Sequence, residues 1–186
     1  LDPRDGGRLF MSPRDEDRSG RRLTHLNEDG QPTMVDVGDK EETDRTARAA
    51  GWIRMAPETL AVLKEGRTPK GDPLQVAEIA GIMAGKKTGD LIPLCHQLPG
   101  ASVEVTLTLD PDLPGVRAET VARFRGRTGV EMEALTAAAV ALLTLYDMLK
   151  AVDRGMEMGG VRLLSKAGGR SGAWTATDAE DGPSAP

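Results

Sequence analysis

A chain of 186 residues, 39% hydrophobic and only 3% aromatic, has material for one core of aliphatic and small side chains with tails, rather than for two cores. A formal net charge of -5 excludes a general electrostatic grip on nucleic acid or anionic lipid, so an anionic ligand needs a local basic patch. One cysteine, Cys95, excludes an intrachain disulfide, and with only His25 and His96 beside it no zinc site of cysteines and histidines can be assembled within one chain.

Residues 1–22 mix Arg, Asp, Gly and Ser with few apolar anchors, which predicts a mobile tail and not a signal peptide. Short strands are predicted at 34–37 and 49–55, and Pro57 starts a helix that runs through Lys64 and closes at Gly66. From about Pro73 to Lys86, Val76, Ile79, Ala80 and Met83 recur at helical spacing and predict a second helix with one apolar stripe. Residues 102–109 alternate polar and apolar side chains; after a turn at 110–115, residues 116–124 partly repeat the alternation, which predicts an antiparallel hairpin with one wet face. Thr128 and Glu131 have the spacing of a capping box before a long Ala- and Leu-rich helix ending near Val152. Residues 161–166 supply a last strand, and the stretch 173–186 is read as a second flexible tail, leaving 23–172 as the folded domain.

This order of elements predicts an α+β fold: a ferredoxin-like antiparallel sheet with helices on one face plus an added helix. The long helix is apolar almost all round from 134 to 145, so one sheet cannot cover it, which predicts contact with a second subunit. That apolar run is shorter than the roughly 18 residues needed to span a bilayer, so the expected setting is cytoplasmic, with no membrane partner.

Three constellations carry chemistry. In the segment 86–98, Cys95 and His96 are adjacent, so in extended chain they point to opposite faces and make a poor nucleophile and base pair; His96 faces a pocket or is a hydrogen-bonded loop residue. Asp147 and Lys150 lie three apart on one side of the long helix, as a surface ion pair or as proton-transfer groups beside a cavity. Lys70 in a Lys-Gly-Asp loop, and Lys166 before a Gly-rich stretch, offer cations to phosphate without forming a Walker loop.

Residues 34–37 (MVDV), LIPLCH at 91–96, RTGVEMEALTAA at 127–138, LYDMLKAV at 145–152 and VRLLSKAGGRSG at 161–172 resemble, in order and spacing, the cyclic pyranopterin monophosphate synthases of molybdenum cofactor biosynthesis. The resemblance covers about 23–172. It implies a lyase that rearranges a 3′,8-cyclised dihydro-GTP into a pyranopterin with a cyclic phosphate and expels pyrophosphate. It further implies a ferredoxin-like subunit in a homohexamer, a trimer of dimers, with sites at subunit interfaces. No cofactor is required, and magnesium is allowed as a companion of the triphosphate.

Carried over by position, Asp147 matches the family's principal catalytic aspartate, with Lys150 and Lys70 completing the proton-transfer set. Leu94, Cys95, His96, Met132 and Glu133 match stretches lining the substrate pocket, and Glu131, Lys166 and Arg45 match further polar residues around it. Gln97 replaces a usual proline and Gly89 a usually larger residue, and both changes are expected to loosen the loop that positions His96. Two rival readings are a nucleotide-sensing oligomer on the same architecture, which would tolerate Asp147→Asn, and a purely structural oligomer.

Overall fold

The segment Thr43–Arg54, β1, alternates small or apolar residues with polar ones, and that alternation sorts its two faces: Ala47, Ala49 and Ile53 are fully buried while Arg48 is exposed. In the computed structural model, which describes residues 31, 33, 34, 36–66, 68 and 71–177, the chain divides into the units Leu1–Asp36 and Val37–Pro186, and all named elements lie in the second. They are β1, α1 (Pro57–Lys64), α2 (Pro73–Lys86), α3 (Thr88–Leu91), β2 (Ser102–Asp110), β3 (Gly115–Gly126), α4 (Glu131–Leu149), β4 (Glu157–Ala167) and β5 (Trp174–Thr175). The tail expected at 1–22 lies outside the described residues, as do 178–186.

The strands form one antiparallel sheet in the order β2-β3-β1-β4-β5. Connected as β1-α2-β2-β3-α4-β4, the first four strands make the ferredoxin-like arrangement, with α1 and α3 as additions. The charged first half of β1 hides a strand that pairs on both sides over all twelve residues with β3 and from Thr46 onward with β4. Residues 34–37, expected as a strand, have no regular structure at Met34, Asp36 and Val37; Val35 is outside the described residues. β5 was not foreseen, and it occupies part of the stretch read as a tail.

One face of the sheet stays wet. Arg48 pairs with Glu119 at 3.0 Å, and Arg123 with Glu104 and Arg54 with Glu157 make similar exposed cross-strand pairs. Each such pair contributes at most about 1 kcal/mol. On the hairpin turn, Asp110 accepts from the amides of Asp112 and Leu113 and pairs with Arg117; the hydrogen bond from Arg117 holds its carboxyl below the usual value.

The other face is covered by α4 and α2. α4 buries Ala134, Ala137, Ala138, Ala141, Leu142, Leu145 and Leu149. By length and composition it is apolar enough to cross a membrane, but here it is the core helix. The expected apolar stripe of α2 is only half inside: Val76 packs against the core and Ala80 is half-buried, but Ile79 and Met83 are 58% and 53% exposed, while Ala77, Gly81, Ala84 and Gly85 are buried. The reason is close helix contact. A Cβ on Gly81 would lie 2.8 Å from the Ala137 carbonyl oxygen, so only small residues let α2 approach α4. Between them the sheet and α2 cover most of α4, leaving Leu143 as its large exposed apolar residue in the middle turns.

The capping box does not form. Val130, 1% exposed, sits at the N-cap without a side-chain cap, and burial of this valine rather than the Thr128 hydroxyl sets where α4 begins. The helix ends at Leu149, one turn before the expected point, with Lys150 as its C-cap. Along the outer edge of the sheet, Glu78 of α2 accepts the Leu107 amide of β2 through Oε1 at 3.2 Å.

Candidate functional site

The buried end of α2 determines where the first half of the site lies. A Cβ on Gly85 would lie 3.1 Å from the Glu133 carbonyl and 2.9 Å from Val103, so the glycine allows the last turn of α2 to touch the first turn of α4. Thr88, 1% exposed, then donates its hydroxyl to the Gly85 carbonyl at 2.9 Å and anchors α3 to the end of α2. Between α3, the segment after it and α4 opens a cavity of about 230 Å³, whose lining includes Lys86, Lys87, Asp90, Gln97 and Glu133.

Glu133 is the unusual group. It is 3% exposed, and its carboxyl is pushed up to about 7, first by burial and further by the negative charge of Glu131. Near neutral pH it is therefore close to half-protonated and can donate or accept a proton at the cavity wall. Cys95 lies close enough to feel it: burial first, then the Glu133 charge, pushes the thiol up, so Cys95 is a packing residue and not a ready nucleophile. His96 is half-buried beside it, Met132 is 37% exposed, and Leu94 is 39% exposed with a left-handed φ of 61°.

A second polar group lies on the Glu131 side of the same helix end. Lys166 Nζ stands 3.9 Å from Glu131 Oε1 and bonds the Ser171 hydroxyl. Arg45 Nε donates to the Gly126 carbonyl at 3.3 Å, and a Cβ on Gly169 would meet the Arg45 guanidinium at 1.7 Å, so that glycine, with φ of 73°, is what admits the arginine. Glu131 and Glu133 thus stand at the N-terminal end of α4 with Lys166 beside the first and Cys95 near the second, while Arg45 is held between Gly126 and Gly169. Lys86, Lys87, Asp90 and Gln97 line the cavity with Glu133; the sequence reading gave no role to Lys86, Lys87 or Asp90, although the helix end just before LIPLCH marked their place.

Asp147 and Lys150 are elsewhere in the same chain. They form an ion pair of 2.6 Å, each side chain 53% exposed, at the opposite end of α4. Fourteen residues of helix separate Asp147 from Glu133, about 21 Å along the axis at ~1.5 Å per residue. Lys70 lies outside the described residues. Among the described residues, no group of three or more His, Cys, Asp and Glu side chains is arranged to hold a metal.

Residues 34–169 match the MoaC family, a span that contains every one of these side chains except Ser171. The chain belongs to the MoaC family. Within it, cyclic pyranopterin monophosphate synthases of Brucella ovis and Brucella melitensis are 56% identical over 157 residues, which cover 84% of this chain and 95% of each relative. The synthase of Brucella canis is 55% identical over the same length.

Proposed function

We propose that this chain is a cyclic pyranopterin monophosphate synthase, a lyase of molybdenum cofactor biosynthesis that converts the 3′,8-cyclised dihydro-GTP and releases pyrophosphate. The observation that carries the reading is its 56% identity to synthases along 95% of their length. The substrate is a small, highly anionic molecule, and the cations at the N-terminal end of α4 suit it. Lys86 and Lys87 beside the cavity, with Lys166 and Arg45 nearby, neutralise phosphate charge in a chain that is otherwise acidic. Glu133, half-protonated near neutral pH, hydrogen-bonds the guanine-derived ring.

In this reading Asp147 and Lys150, with Lys70, move protons during the ring rearrangement. To form the cyclic phosphate, a sugar hydroxyl oxygen attacks the phosphorus nearest the sugar, the bond from that phosphorus to pyrophosphate breaks, and a base takes the hydroxyl proton. Lysine and arginine groups stabilise the charge left on pyrophosphate. No resident cofactor is assigned, and magnesium enters only as a companion of the triphosphate. The reaction is placed in the cytoplasm.

We place each complete site between two copies, in a homohexamer built as a trimer of dimers. The separation of about 21 Å between Asp147 and Glu133 supports this, because a substrate of nucleotide size cannot span both ends of one helix. Exposed Ile79, Met83 and Leu143 on the outer side of the helix layer supply apolar contact surface.

Pyrophosphate release from the cyclised substrate tests the reaction. Asp147→Ala should lower turnover by about 10² to 10⁴ without moving Tm, since the side chain is half exposed. Turnover by Asp147→Ala equal to wild type would remove the assignment. Co-expression tests the shared site: with Asp147→Ala and His96→Ala, each inactive alone, mixed dimers carry one intact site, so about a quarter of wild-type turnover returns under random pairing. No recovery would place both halves of the site in one chain.

A further inference from the structure

The segment that carries His96 leaves α3 at Leu91 and has no regular structure until β2 begins at Ser102. Three bonds hold its backbone: the Ile92 amide to the Thr88 carbonyl of α3 at 2.9 Å, the Cys95 amide to the Ile92 carbonyl at 3.3 Å, and the Ala101 amide to the Leu98 carbonyl at 3.2 Å. Leu94, within it, sits at φ 61°, a conformation that a leucine keeps only when its surroundings hold it there. One side-chain bond ties this segment back to a helix: Gln97 Nε2 donates to Asp90 Oδ1 at 2.8 Å.

The helical end of that tie is firm. Asp90 belongs to α3, which is fixed to α2 through the buried Thr88 hydroxyl, and α2 is fixed to α4 at Gly85 and Glu133. The approach of the segment to α3 is also unusually close at one point. A Cβ on Gly89 would lie 2.8 Å from Gln97 Cγ and 3.0 Å from Gln97 Cα. Turning the Gln97 side chain relieves the first contact, but only a shift of backbone relieves the second. Gly89 is thus the residue that lets Gln97 reach Asp90.

We propose that Gly89, Asp90 and Gln97 form a clasp that holds residues 92–98 at the mouth of the cavity, with Asp90 and Gln97 acting as positioning residues for His96. The role in turnover rests on the synthase reading above; the clasp itself does not. A segment ordered before substrate arrives need not be ordered by binding energy, so the expected effect of breaking the clasp falls on KM more than on kcat.

Hydrogen exchange of the amides at 94–98, measured on the unliganded full chain, tests the clasp without any activity. Gln97→Ala and Asp90→Ala should each speed exchange about five- to tenfold, the effect of one modest hydrogen bond. Gly89→Ala should do the same, and Asp90→Asn, which keeps the acceptor oxygen, should exchange as wild type does. In the pyrophosphate assay, Gln97→Ala and Asp90→Ala should raise KM by similar factors, and the double variant should be no worse than either single one. Unchanged exchange in Gln97→Ala overturns the clasp. A double variant whose KM rises by the product of the single effects overturns the pairing, because each residue would then act alone. A wild-type chain that releases no pyrophosphate overturns the role in turnover, and the exchange measurement still decides the clasp.

Discussion

Replacing Glu133 by glutamine tests the physics of the cavity wall. The side chain is 3% exposed, and its carboxyl sits at about 7 in the fold against an ordinary value of 4.5. The folded-state value lies above the unfolded one, so the stability linked to this group is fully present below about pH 4.5 and is lost as the pH rises through about 7. The gap between 4.5 and about 7 corresponds to about 3 kcal/mol at 1.36 kcal/mol per pH unit. Glutamine keeps the shape and cannot ionise. Urea unfolding at several values between pH 5 and 8, a window that catches most of this loss, should therefore show wild type losing about 2.5 kcal/mol more than Glu133→Gln, a relative midpoint shift of about 1.2 M for a slope near ~2 kcal/mol/M. Protein concentration is held fixed, because assembly adds to apparent stability. Parallel pH profiles for the two proteins would refute the account of a carboxylate held neutral by burial.

Gly81→Ala places a methyl 2.8 Å from the Ala137 carbonyl and should destabilise the fold by about 1–3 kcal/mol, read from the urea midpoint. Asp153 accepts the Ala56 amide at 2.9 Å and the Gly155 amide at 2.8 Å, and chiefly the Ala56 bond holds its carboxyl below the usual 3.8. Its contribution is present above that value and lost as the pH falls through the lower folded one, so Asp153→Asn should flatten acid unfolding followed by circular dichroism below about pH 4. Thr120 donates to the Ala134 carbonyl at 2.8 Å from a fully buried position, and Thr120→Val should cost about 1 kcal/mol in the same unfolding assay.

The hairpin 102–124, the helix from Pro57 and the ends of α2 were legible because alternation, proline and glycine act locally. What escaped was set by neighbours. The strand was expected only from residue 49; the first half of β1 becomes strand because partners on both sides satisfy its backbone, which turns Arg48 and its pairs into a wet face. The stripe of Ile79 and Met83 looked like the inner face of α2, but contact with α4 selected Ala77, Gly81 and Gly85, which carry little hydrophobic signal. At the site, motifs located LIPLCH and the acidic start of α4, and the single long helix already put Glu133 near one end and Asp147 near the other; what only the fold adds is that Lys86, Lys87 and Gln97 share a cavity with Glu133. Gln97 and Gly89 were expected to loosen the His96 loop; the hydrogen bond from Gln97 to Asp90, which depends on the three-dimensional proximity of residues seven apart, is what the proposed clasp sets against that expectation.

The carboxylate of Glu78 on the Leu107 amide has a consequence for the protein at high concentration. An outer strand with open amides invites strands from other molecules, and continued addition ends in fibres or precipitate. Here a helix of the same chain occupies a donor on that border, and its negative charge repels an incoming carbonyl oxygen. That one donor is thereby withheld from strand-to-strand addition, so a strand arriving at this border finds its ladder interrupted at Leu107.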